Sequence, residues 1–152
     1  MKLFCFLFVL ILSNYATANE TQLGIILGST TGLSFKYNLG SDRAVDGALS
    51  YSIDGKYGFS AHSDYLFNKA RQFTLGELSP LSLYYGIGLR LLNILIGTDK
   101  GKARAGIRAP IGLYHQTNNP NLEFFGELVP ILDLTPSTDV FIDVGFGVRI
   151  RF

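Results

Sequence analysis

The stretch DVFIDVGFGVRIRF, Asp139–Phe152, decides the fold. Successive side chains of a strand point to opposite sides, so every second residue shares a face. On that rule Val140, Ile142, Val144, Phe146, Val148, Ile150 and Phe152 form one face with no polar member. Phe141, Asp143, Gly145, Gly147, Arg149 and Arg151 form the other, which is mostly small or charged.

The same alternation runs upstream. Leu122, Phe124, Gly126, Leu128, Pro130, Leu132 and Leu134 oppose Glu123, Glu127 and Asp133. Ala103, Ala105, Ile107, Ala109, Ile111 and Leu113 oppose Lys102, Arg104, Gly106, Arg108 and Gly112. Leu81, Leu83, Tyr85, Ile87, Leu89 and Leu91 oppose Ser82, Tyr84, Gly86, Gly88 and Arg90. Four earlier segments agree, with Lys36, Asp46 and Asp64 on the polar side. Turn residues separate the segments at Gly28–Gly32, Gly40–Arg43, Asp54–Lys56, Asn68–Pro80, Gly97–Gly101, Gln116–Asn121 and Pro136–Asp139. Seven breaks predict eight strands, and only Leu92–Ile96 fits neither face.

Ahead of these segments, Met1-Lys2 precedes an apolar run from Leu3 to Leu12 and then Ala16-Thr17-Ala18. A short basic start, an apolar core and an A-x-A site read as a secretory signal peptide cleaved after Ala18. The run is too short to span a bilayer, which takes about 20 residues. The predicted organisation is therefore a signal at 1–18 and one barrel domain at 19–152. Cleavage removes Lys2 and Cys5, leaving 12 of the 13 basic residues against 12 acidic ones and no cysteine. A neutral chain gives no reason to expect nucleic acid as a partner. Charged residues make up 16% of the chain, against about 25% in an ordinary soluble domain.

Alternation also fits a soluble barrel of the lipocalin kind, with its apolar face inward. An eight-stranded barrel has room inside only for side chains or one small ligand, and the apolar face carries too many bulky groups to fit. Small residues on the polar face suit a crowded lumen. The lumen charges nearly balance, with Lys36, Arg90, Lys102, Arg104, Arg108, Arg149 and Arg151 against Asp46, Asp64, Glu123, Glu127, Asp133 and Asp143. Turned toward lipid, each charge would cost about 2–4 kcal/mol at mid-depth, which is prohibitive beside a total stability of about 5–15 kcal/mol. Backbone polar groups in lipid must all be bonded, so the sheet must close. The prediction is an all-β, eight-stranded, antiparallel up-and-down transmembrane β-barrel.

Gly145–Phe152, with its alternating apolar residues and terminal Phe152, resembles the C-terminal signal of outer-membrane barrels. That resemblance implies that Val148, Ile150 and Phe152 are read by the barrel assembly machinery, with periplasmic chaperones escorting the exported chain. The domain resembles the eight-stranded OmpA-like membrane domain. More closely, it resembles small bacterial outer-membrane β-barrel proteins of uncharacterised function. The matching stretches are Gly32–Tyr37, Tyr84–Gly88, Arg108–Leu113, Glu127–Pro136 and Gly145–Arg149. The resemblance implies a location in the outer membrane and no known reaction. One departure stands out. If both chain ends are periplasmic, the longest connection, Asn68–Pro80, is periplasmic too, whereas OmpA-like barrels carry their long loops outside.

Ser60, His62 and Asp64 invite a catalytic triad. They alternate along one strand, however, and a triad needs groups converging from separate elements. Neither His62 nor His115 has a partner at metal-ligand spacing, so no metal or cofactor is expected. The predicted constellation is the lumen charge network. Arg104, Arg108, Arg149 and Arg151 come from the sixth and eighth strands, with Glu123, Glu127 and Asp133 on the strand between them. Paired, these charges make a closed lumen in a non-catalytic, monomeric barrel with a structural or partner-binding role. Two alternatives are a narrow channel or small-ligand barrel and, less favoured, a lipid-modifying membrane enzyme.

Overall fold

A computed structural model describes residues 21–29, 31–51, 57–73, 80–94 and 100–152. The signal-peptide reading, with Ala16 and Ala18, and the turn at Asp54–Lys56 lie outside the described residues. The strands are β1 (Thr21–Gly28), β2 (Thr31–Asn38), β3 (Arg43–Tyr51), β4 (Tyr57–Phe73), β5 (Leu81–Ile94), β6 (Ala103–Arg108), β7 (Ile111–Asn118), β8 (Asn121–Thr135) and β9 (Asp139–Arg151). All neighbours are antiparallel, and β1 pairs with β9 from Gln22↔Arg151 to Gly28↔Gly145, which closes the ring.

Nine strands occupy eight staves. β6 and β7 both lie between β5 and β8, end to end. The expected sixth strand is interrupted at Ala109-Pro110, where proline has no N–H to give to the ladder. The break skips no side: Arg108 and Pro110 are buried inward while Ile107 and Ile111 are exposed outward. The chain bridges the gap with bonds from Ala109 N to Pro130 O at 2.9 Å and from Gly86 N to Pro110 O at 2.9 Å.

Three segment boundaries are corrected. Gln116–Asn118 continues β7 instead of opening a turn, pairing with Glu123, Leu122 and Asn121, and the other two lie on β4 and β5. Asn68–Phe73 belongs to β4 rather than to a turn, because Asn68 and Lys69 pair with Tyr84 and Leu83. Lys69 stands on the outward side of β4. Leu92–Ile94 belongs to β5, with Leu92 and Ile94 buried inward and Asn93 exposed. Their inward apolar side chains disguise a regular strand as a break in the pattern. Lys102 precedes β6 and is exposed at the rim instead of standing inside.

The outer surface is largely apolar, with Ser63, Lys69 and Asn93 among its polar exceptions. Val140 is 74% exposed, Leu33 67% and Leu89 66%. The buried side chains include the charges of Lys36, Asp46, Asp64, Arg108, Glu123, Asp133 and Arg149, interleaved with apolar ones such as Ile26, Leu66 and Phe125. Glycines let aromatic rings lie flat against the wall. Tyr84 covers its cross-strand partner Gly112, and Phe125 covers Gly147, both inside. Outside, Phe35 covers Gly47 and Phe146 covers Gly126 in the same way.

Candidate functional site

Inward alternation on every stave projects the charged side chains onto one axis, and closure brings together residues distant in sequence. They gather in three groups along the lumen.

The first group lies toward the end that carries both Thr21 and Phe152. Glu123 accepts from Lys36 Nζ at 3.0 and 3.1 Å, from Arg149 Nη1 at 3.2 Å and from Gln116 Nε2 at 2.8 Å. Arg149 also donates to Asp46 Oδ2 and Ser34 Oγ, both at 2.9 Å, and its guanidinium lies 3.8 Å from the Phe125 ring centroid. The Lys36 ammonium sits 4.4 Å from the Tyr114 ring centroid. Lys36, Glu123 and Arg149 therefore each have an opposite charge and further polar or aromatic contact, which a charge removed from water requires. Asp46, in contrast, is held through Oδ2 alone, and its Oδ1 has no hydrogen-bond partner among the described residues.

The second group is central. Arg108 Nε lies 3.0 Å from Asp64 Oδ2, and Arg108 Nη2 donates to Glu127 Oε1 at 3.2 Å. Tyr84 donates its hydroxyl to Glu127 Oε2 at 2.8 Å. His62 Nε2 is 4.0 Å from the same Asp64 oxygen that Arg108 approaches. Ser60, His62 and Asp64 thus stand in line on β4, with Asp64 engaged by an arginine.

The third group occupies the opposite end. Arg90 Nη2 donates to both oxygens of Asp133 at 2.9 Å, and Arg90 Nη1 to Asp143 Oδ2 at 3.1 Å. Arg104 Nη1 donates to Asp133 Oδ2 at 3.3 Å, with its guanidinium 4.9 Å from the Phe141 ring centroid. Leu92, Ile94, Val129 and Ile131 are also buried on inward-facing positions of β5 and β8.

Of the sequence-predicted residues, Lys36, Asp46, Asp64, Arg90, Arg104, Arg108, Glu123, Glu127, Asp133, Asp143 and Arg149 all sit in these groups. Arg151 does not, because it lies at the rim and donates to Asn118 Oδ1 at 3.1 Å. Val148, Ile150 and Phe152 face outward at that rim, with Ile150 and Phe152 exposed. Sequence reasoning missed Ser34, Tyr114 and Gln116. Tyr114 continues the inward parity of Arg108 and Gly112, which was the available signal. Gln116 was hidden by its place among turn residues. Among the described residues no group of three or more His, Cys, Asp or Glu could hold a metal ion.

Beside His62, Arg108, Glu127 and Asp143 there is a cavity of only about 20 Å³, space for about one water. At the end holding the chain termini the lumen opens into a polar vestibule of about 480 Å³, floored by Lys36 and Tyr114.

A closed antiparallel up-and-down ring with an apolar exterior and a charged interior defines the OmpA-like class of barrel fold. The chain is similar to the N-terminal β-barrel domain of Pseudomonas aeruginosa OprF, with a TM-score of 0.61 and 14% identity over 90% of this chain and 100% of that one. At that identity the likeness establishes the fold. No family model matches the chain, and no curated protein matches its sequence significantly.

Proposed function

We propose that this chain is an integral protein of the bacterial outer membrane, a monomeric, non-catalytic barrel whose lumen is closed by paired charges. Its role is then structural or partner-binding. The observation that carries the reading is the exterior. The outward positions of a soluble barrel would be polar, yet here Ile25, Leu33, Leu49, Ile87, Leu89, Leu128, Ile142 and Phe146 all stand exposed. A monomer in water rarely exposes a contiguous apolar patch above a few hundred Å², whereas a lipid-facing band of a membrane barrel must be apolar.

The route follows from the same reading. A signal cleaved after Ala18 exports the chain, periplasmic chaperones hold it, and the assembly machinery recognises Val148, Ile150 and Phe152. Tyr65, Phe67 and Tyr85 support a membrane interface at that end. They form an outward aromatic cluster, with ring centroids 5.3 and 5.5 Å apart. The non-catalytic part is supported by the ion pair of Asp64 with Arg108 and by the 4.0 Å separation of His62 Nε2 from the same carboxylate, too long for a triad hydrogen bond.

Cell fractionation of a Gram-negative host expressing the full chain tests the location. The expected product begins at Asn19, resists carbonate extraction and co-sediments with outer membrane. Recovery of a folded product in the soluble periplasmic fraction would overturn the proposal.

A further inference from the structure

We infer that the vestibule at the end holding the chain termini is a binding site for a neutral saccharide. Its volume, about 480 Å³, falls within the range of about 300–1,000 Å³ usual for small-molecule sites. Its walls carry primary amides and hydroxyls rather than free charges. The one ammonium in its floor, Lys36, is held by both carboxylate oxygens of Glu123, so an anionic ligand would have to compete with a buried ion pair. No carboxylate lines the cavity among the described residues, so a cationic ligand has no counter-charge.

The amides are already oriented. Gln116 spends its nitrogen on Glu123 and keeps its carbonyl oxygen as an acceptor. Asn118 spends its carbonyl oxygen on Arg151 and keeps its nitrogen as a donor. Asn68 borders the cavity and is 6% exposed, and its Oδ1 is turned away from solvent and has no protein donor among the described residues. Its main chain is fixed by the bond from Asn68 N to Asp42 O at 2.8 Å, so the side chain is presented from a rigid strand. A buried acceptor without a donor is costly, and a turn of the Asn68 side chain toward the cavity brings it within reach of a ligand hydroxyl. Hydroxyl groups donate and accept at once. Neighbouring hydroxyls on a sugar therefore match a wall that alternates acceptors at Asn68 and Gln116 with a donor at Asn118.

The site rests on the closed-lumen reading, because a sealed floor at Lys36–Glu123 makes this a dead-ended pocket instead of a pore mouth. Conductance tests the floor and ligand titration tests the pocket, so the two can fail separately. The experiment is a titration of the isotope-labelled mature chain in phosphatidylcholine nanodiscs with maltose, following side-chain amide resonances by NMR. Sodium sulfate and choline chloride serve as charged probes. Saturable shifts of the Asn68, Gln116 and Asn118 amides with maltose alone are expected. Asn68→Leu and the rim variant Gln116→Ala should each weaken the affinity about tenfold, while Ser137→Ala at the opposite end should leave it unchanged. Gln116→Ala lies on an exposed position, so it keeps the test open if Asn68→Leu fails to fold. Absence of saturable shifts, shifts indifferent to both variants, or saturation by sulfate or choline instead of maltose would each overturn the assignment.

Discussion

Replacing Glu123 by leucine should be among the most damaging single changes in this barrel. Glu123 is fully buried and is the carboxylate partner of Lys36. In Glu123→Leu, Arg149 keeps Asp46 and Ser34, both at 2.9 Å. Lys36 keeps the Tyr114 and Tyr84 rings, at 4.4 and 6.0 Å, and the charge of its cross-strand neighbour Asp46, which Arg149 already engages. Breaking a buried pair by removing one partner costs about 3–5 kcal/mol, because the other charge stays behind. Removing both partners is different, since replacement of a buried pair by apolar groups of similar size is often neutral or stabilising by about 1–4 kcal/mol. Lys36→Met/Glu123→Leu should therefore regain most of what Glu123→Leu loses, and Arg149 and Asp46 still balance in the double variant. The assay is equilibrium urea unfolding in lipid vesicles followed by far-ultraviolet circular dichroism, since the chain has no Trp for fluorescence. If the double variant is as unstable as the sum of the two singles, Lys36 and Glu123 are not coupled, and the reasoning about the plug fails.

Other consequences can be read by the same unfolding assay. Ile87→Lys places a charge in the middle of the exposed apolar face and should cost about 2–4 kcal/mol in vesicles, whereas Leu39→Lys near the rim should cost about 0–1 kcal/mol; equal costs would contradict a lipid-facing exterior. Tyr84→Phe removes the 2.8 Å bond to Glu127 and should cost about 1.5–3 kcal/mol, with Arg108 still paired. Gly147→Ala sets a methyl against the Phe125 ring and 2.5 Å from Ile25 O, so it should destabilise by about 1–3 kcal/mol. Gly101→Ala has open space around it, and its effect should come from the backbone alone, since φ is +82° there; an alanine as benign as at an ordinary turn position would argue against that conformation.

The staves and their inward faces were legible because a period of two is a local property. Arg149 and Ile150 must point oppositely whatever surrounds them. The charge partners were less so. Adjacency of strands leads to Arg149 beside Glu123 and Arg108 near Glu127, which are contacts between neighbouring staves. It does not lead to Lys36 on Glu123, Arg149 on Asp46 or Arg108 on Asp64, which cross the lumen or skip a stave. Those pairs depend on ring closure and stave stagger, which no stretch of sequence encodes alone. The boundary errors have local causes. Asn68 to Gln72 carries the polar residues of a turn, yet Asn68 and Lys69 still pair with β5, and after an irregularity Phe73 pairs again. Pro110 splits a stave without changing its parity, so alternation concealed the break.

The proposed closure of the lumen is tested most directly by single-channel recording from residues 19–152 reconstituted in planar lipid bilayers, with insertion verified by a β-rich circular dichroism spectrum of the same preparation in vesicles. The three groups of paired charges and the cavity of only about 20 Å³ between them predict electrical silence over the usual voltage range. Stable, discrete openings from the inserted protein would contradict the plug and make the barrel a narrow channel.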